Sequence, residues 1–153
     1  MCVADVYLIC NYGILPAWAL LVAAPRSVWT QRIVHSMLLP LLLATVYIAA
    51  FLANDEPLRG DFGTLEGVMT LFKEPWIVLA GWVHYLVFDL FVGAWEVRDA
   101  ERSGIRHLYV VPALLFTLML GPVGLAMYLL LRFALTKKVA LAEREDAAVA
   151  RSV

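Results

Sequence analysis

The run Gly81-Trp82-Val83-His84-Tyr85-Leu86-Val87-Phe88-Asp89-Leu90-Phe91-Val92-Gly93-Ala94-Trp95-Glu96 sets a histidine, a tyrosine and two carboxylates among apolar residues. These are side chains that move protons. At about 100° per residue, Trp82, Tyr85, Asp89, Val92 and Glu96 fall on one stripe of a helix. Tyr85 and Asp89 stand four apart, close enough for the phenol to donate to the carboxylate. His84 is turned about 140° from Asp89 and shares a stripe with Phe88, Phe91 and Trp95. An acidic side chain in the middle of a membrane helix costs about 3 kcal/mol, so Asp89 needs a partner or a wet cavity. Asn11 is the candidate partner across the bundle.

Each of these residues has a plainer reading beside the chemical one. Asp89 can be a polar tie between helices, worth about 1 kcal/mol. His84 can be a satisfied polar group or one wall of an aromatic cage. Glu96 is expected near a helix end, reaching headgroups or water, and Asp99 in a loop. His35 and His107 are expected to be ordinary interfacial residues.

Two further patterns bear on a binding site. Gly121-Pro122-Val123-Gly124 interrupts an apolar run. Glycine there permits close approach, and proline leaves a carbonyl without its helical donor. Trp18, Trp76, Trp82 and Trp95, with several phenylalanines, could line a groove for a long polyene or serve as core and interfacial belt. The chain has no phosphate-cradling glycine loop, no CxxC pair, no HExxH and no GxSxG. Its three histidines are scattered, so no metal site and no cofactor are expected. Cys2 and Cys10 read as small apolar residues.

The elements that must position these groups are membrane helices. Of 153 residues, 63% are hydrophobic and 16% charged, against about half and a quarter in a soluble domain. The apolar residues come in blocks of about the 20 needed to cross hydrocarbon. The net charge of −1 excludes nucleic acid as an expected partner. Four spans are expected, near Val3 to Ala24, Ile33 to Ala53, Pro75 to Val97 and Leu108 to Phe133. Pro16 should kink the first, and Trp29 reads as an interfacial anchor.

Between the second and third spans, Asn54 to Glu74 carries Leu65, Val68, Met69 and Phe72 at helical spacing, which predicts an interfacial helix. The fold class is therefore all-α, a four-helix transmembrane bundle (residues 1–133) with a charged tail (134–153) and both ends on one side. No basic residue precedes Arg26, so no cleavable signal is expected and the first span is retained. Arginines in the short loops at 26–32 and 98–106 favour both termini outside the cytoplasm, but Arg59, Lys73, Arg132, Lys137 and Lys138 fall on the opposite side, so charge does not decide the orientation.

Asn11 followed by Leu15-Pro16-Ala17-Trp18, then Pro25, Gly81-Trp82-Val83-His84-Tyr85, Phe88-Asp89-Leu90-Phe91-Val92-Gly93 and Gly121-Pro122-Val123-Gly124 resemble the membrane family of plant neoxanthin synthase. That family is named for abscisic acid deficiency. The resemblance runs from Asn11 to about Arg132. Unlike the plant members the chain is short and shows no plastid transit peptide, so a bacterial inner membrane is the expected location.

The resemblance implies a carotenoid isomerase that opens an epoxide and forms an allene without net redox change. Such chemistry needs an acid near the epoxide oxygen and a base for a polyene proton. Onto this sequence the expected catalytic set is Asp89 as acid, His84 as second proton-transfer group and Tyr85 as orienter. Asn11, Trp18, Trp82, Phe88, Phe91, Trp95, Gly121 and Pro122 are expected to bind the pigment. The expected partners are membrane lipid, a hydrophobic polyene such as a carotenoid, and a second copy of the chain. Two other classes share these residues. One is a non-catalytic carotenoid-binding or assembly protein, and the other a proton or small-solute pathway through Asn11, His84 and Asp89.

Overall fold

The computed structural model describes residues 2–54, 57 and 59–141. Among them all regular structure is helical: α1 Val3–Gly13, α2 Leu15–Ala23, α3 Val28–Ile33, α4 Leu38–Leu52, α5 Leu65–Leu71, α6 Pro75–Arg102 and α7 His107–Thr136. By length and composition alone, three stretches could cross a membrane: Val3–Ala23, Pro75–Arg102 and, were it straight, His107–Thr136. The chain is a helical membrane protein.

The first expected span is present, with Ile14 at its break and Pro16 in the first turn of α2. A proline is tolerated there because the amide it lacks would be unpaired anyway. The second span differs. It divides at Val34–Met37 into α3 and α4, and α4 at about 22 Å is shorter than the ~30 Å hydrocarbon layer. Ser36 holds the bend, its hydroxyl donating to the Ile33 carbonyl and accepting from the Leu38 amide. In the connection before α6, Thr64 caps α5 by accepting from the Gly67 amide. Its Leu65, Met69 and Phe72 are exposed while Gly67 and Leu71 face inward.

The third span extends beyond its expected end at Val97 to Arg102. Gly104, at φ +70°, then closes the helix: its amide reaches the Glu101 carbonyl and that of Ile105 the Ala100 carbonyl. This two-bond cap needs the left-handed backbone that glycine adopts without strain. Asp99, expected in a loop, is consequently helical.

α6 is the axis of the bundle, packed against α4 on one side and α7 on the other, with α1 and α2 also against it. Tyr7 and Asn11 lie beside Trp82, near the start of α6. At the other end, Arg26 pairs with Glu101, and the His107 Nε2–H donates to the Val22 carbonyl.

α7 is folded back on itself. A straight helix would carry Arg132 about 37 Å from His107. Arg132 instead reaches Asp99, three residues before the end of α6, at 2.7 Å. The break is at Leu120, whose backbone is non-helical (φ −148°, ψ 55°). Pro122 then sits in the first turn of the returning half. At the crossing, Gly124 lies so close to the Thr117 backbone that a Cβ on it would overlap. The halves, 107–119 and 121–136, are about 20 and 24 Å long. Thr136 therefore lies at the Arg102 end of the bundle and Val3 at the Pro75 end, so the expectation that both ends share one side is corrected. The fold-back adds a reversal that a straight fourth span would not have.

Candidate functional site

The α6 face that meets the fold of α7 carries three carboxyls: Asp89, Glu96 and Asp99. Asp89 is half-buried, and its side chain lies against Gly121, where any Cβ would overlap the carboxyl. Its Oδ2 is buried and has no hydrogen-bond partner among the described residues. The Tyr85 hydroxyl lies beside Asp89 but donates to the Leu118 carbonyl at 3.1 Å. That carbonyl is four residues before Pro122, which has no amide to offer it. Tyr85 thus repairs the backbone at the break while Asp89 faces the glycine next to it.

Asn11 does not partner Asp89. Its side-chain oxygen accepts from the Trp82 indole at 3.2 Å, because α1 meets α6 a turn or two below Asp89.

Glu96 is fully buried at 0% exposure. Its two oxygens accept from the Thr117 hydroxyl at 3.0 and 3.2 Å. The expectation that it reaches headgroups or water is corrected, since α6 continues past it and α7 covers it. Asp99 is buried between the Arg132 guanidinium and the Tyr128 hydroxyl. Arg132, at 7% exposure, was legible as a charge near the end of an apolar run, the kind of residue that requires a partner. The partner was not legible, because it depends on the fold-back.

The other expected site residues divide among three environments. His84 is on the opposite side of α6 from Asp89, stacked on Phe88 at 4.5 Å and 6.2 Å from the Tyr47 ring of α4. Trp18 is core, buried against Gly93. Trp95 meets Tyr128 edge-on at 5.5 Å, behind the carboxyl face. Trp82 is partly exposed, with Tyr7 and Tyr85 at 5.5 and 5.3 Å, so it flanks the Tyr85–Asp89 corner. Gly121 abuts Asp89, and Pro122 is exposed at the turn.

Phe88 and Phe91 line an apolar groove on the α4 side, with Pro40, Leu41, Val87 and Leu90. Trp82, His84, Gly121 and Pro122 do not line it. At the groove's end, Arg98 donates to His35 Nδ1 at 2.8 Å. Arginine can only donate, so the His35 proton is on Nε2. Among the described residues no cluster of metal-ligating side chains occurs.

A helical membrane protein with carboxyls facing a broken helix is the class that this geometry defines. A family model described as ABA DEFICIENT 4-like matches residues 5–128, and the chain belongs to that family. It is 24% identical over 130 residues to Protein ABA DEFICIENT 4, chloroplastic, of Arabidopsis thaliana, an alignment covering 80% of this chain and 58% of the relative. No solved structure matches the chain.

Proposed function

We propose that this protein acts on carotenoids in the membrane, as an epoxide-to-allene isomerase in which Asp89 moves the proton. Family membership supports the carotenoid role. The observation that carries the site is the buried, unpartnered Oδ2 of Asp89 beside the break in α7. A carboxyl there is desolvated but not consumed by an ion pair, as Asp99 is.

In the proposed step, protonated Asp89 gives its proton to the epoxide oxygen as the ring carbon–oxygen bond opens. The resulting carboxylate takes a proton from the adjacent polyene carbon, whose electrons form the cumulated double bond. Proton and electrons balance within one substrate, and the product is an isomer. Tyr85 is a positioning residue, since its hydroxyl holds the backbone that brings Gly121 to Asp89. Trp82 flanks the Tyr85–Asp89 corner. His84, on the other side of α6, is assigned no proton transfer in this scheme.

The four-helix bundle enters this reading as four packed units: α1 with α2, α4, α6 and the folded α7. A bacterial inner membrane is the proposed location. The second reading, a carotenoid-binding or assembly protein, is favoured by the groove lined by Phe88 and Phe91. The test supplies epoxy-carotenoids to membranes carrying the protein and separates products by chromatography. An allenic product that Asp89→Asn abolishes supports the isomerase. Pigment retained through purification without conversion supports the binder, and a protein that neither converts nor retains pigment has no carotenoid role.

A further inference from the structure

A straight fourth span would set Arg132, Lys137 and Lys138 beside Arg59 and Lys73 at the Pro75 end, opposite the five arginines of residues 26–32 and 98–106. The fold-back of α7 moves those three to the Arg102 end, where Arg132 is bound by Asp99. Among the described residues the basic side chains then divide eight to two: the five loop arginines with Arg132, Lys137 and Lys138 at one end, Arg59 and Lys73 at the other. Outside the stretch from Asp89 to Glu96, the described carboxylates divide the opposite way. Asp99 and Glu101 are at the Arg102 end, while Asp5, Asp61, Glu66 and Glu74 are at the Pro75 end. The two ends therefore carry opposite net charge. Arg32 and Arg106 are exposed at the positive end, and Asp5, Asp61 and Glu66 at the negative one.

We propose that the Arg102 end is the cytoplasmic face of the protein, with its basic loops resting on the anionic headgroups of that leaflet and the acidic Pro75 end on the far side. Lysine and arginine in short loops stay on the side where the chain is made, and they govern orientation more than carboxylates do. That leaflet also holds the anionic lipids, whose field attracts basic residues within a Debye length, ~8 Å at physiological salt. An ion pair inside the positive end leaves its net charge unchanged. The field is thus set by the count of charges and not by which arginine bonds which carboxylate. The first helix agrees, since no basic residue precedes it and Arg26 and Arg32 follow it. Val3 then lies outside and Thr136 inside, whatever the chemistry at Asp89.

The test labels single cysteines in the full chain, expressed in a bacterium, with a membrane-impermeant maleimide. Cys2, in a Cys10→Ala background, should react in intact spheroplasts. Val139→Cys, in a background of Cys2→Ala and Cys10→Ala, should react only in inverted membrane vesicles. The reverse pattern overturns the proposal, as does labelling of both from one side. Adding Arg26→Gln and Arg32→Gln strips the charge that follows the first helix, so the share of Val139→Cys reached from outside should rise. No rise in a variant that still inserts overturns the role given to charge, and the first result stands even if that variant does not insert. Proteoliposomes then read the lipid, with phosphatidylglycerol and phosphatidylcholine spin-labelled at the same position near the headgroup. A fluorophore on Val139→Cys should be quenched more by the phosphatidylglycerol, and one on Cys2 should not. Equal quenching at Val139→Cys by the two lipids overturns the contact with anionic headgroups.

Discussion

At the level of single residues, hydrogen-bond partners separate the three carboxyls of α6. Asp99 has a guanidinium and a phenol, Glu96 has one hydroxyl, and the Asp89 Oδ2 has no partner among the described residues. The proposed proton transfer rests on that oxygen. Asp89→Asn keeps the size and removes the proton, so isomerase activity should fall at least ~100-fold, the usual scale of a general acid. The folded fraction should remain unchanged in size-exclusion chromatography. His84→Ala should retain most of the activity in the same assay. Equal losses in the two variants would show that the two sides of α6 act together, against the assignment made here.

Arg132→Met makes the opposite demand, because it strands Asp99 in the interior. Breaking a buried pair from one side costs about 3–5 kcal/mol. Thermal unfolding in detergent should show that loss, and adding Asp99→Leu should recover most of it.

Among the elements, α7 governs the site. Its reversal at Leu120 brings Gly121 against Asp89, Thr117 to Glu96 and Arg132 to Asp99. Leu108 and Leu130, both exposed, would stand about 33 Å apart along a straight helix. Spin labels at these positions should instead report a separation below about 25 Å. A distance near 33 Å would refute the fold-back. Tyr85→Phe removes the donor that serves the Leu118 carbonyl and should cost about 1 kcal/mol. Its activity should fall more than its stability suggests, because Gly121 is then less firmly held at Asp89.

For the molecule as a whole, the fold-back decides which way the chain ends face. Val3 and Thr136 lie at opposite ends of the α6 axis. Single cysteines at positions 2 and 139, in a background lacking Cys10, should therefore react with a membrane-impermeant maleimide from opposite sides of a sealed vesicle. Labelling of both from one side would restore the straight fourth span. Among the described residues α4 is too short to cover α6 along its length, and Asp89 lies on the other side of that helix.

The sequence by itself determined the class of the molecule, because apolar blocks of membrane length and their proline and glycine breaks are local properties. Val3 to Ala24 and the start of the third span at Pro75 follow from composition and helix-end residues alone. So does the separation of His84 from Asp89, which is helical geometry. The tertiary structure alone decided which polar groups meet. Asn11, the expected partner of Asp89, lies against Trp82, since contact depends on where two helices touch. Glu96 and Asp99 are buried rather than near a helix end or in a loop, because α6 continues to Arg102. The cap at Gly104 is made by bonds back to Ala100 and Glu101, and residue types alone do not distinguish that stop from one a turn earlier. Most of all, Gly121-Pro122 announced a break without its angle. A proline removes one hydrogen bond, but whether the chain then kinks or reverses depends on what receives the freed carbonyl and what pairs with Arg132, and both partners come from α6.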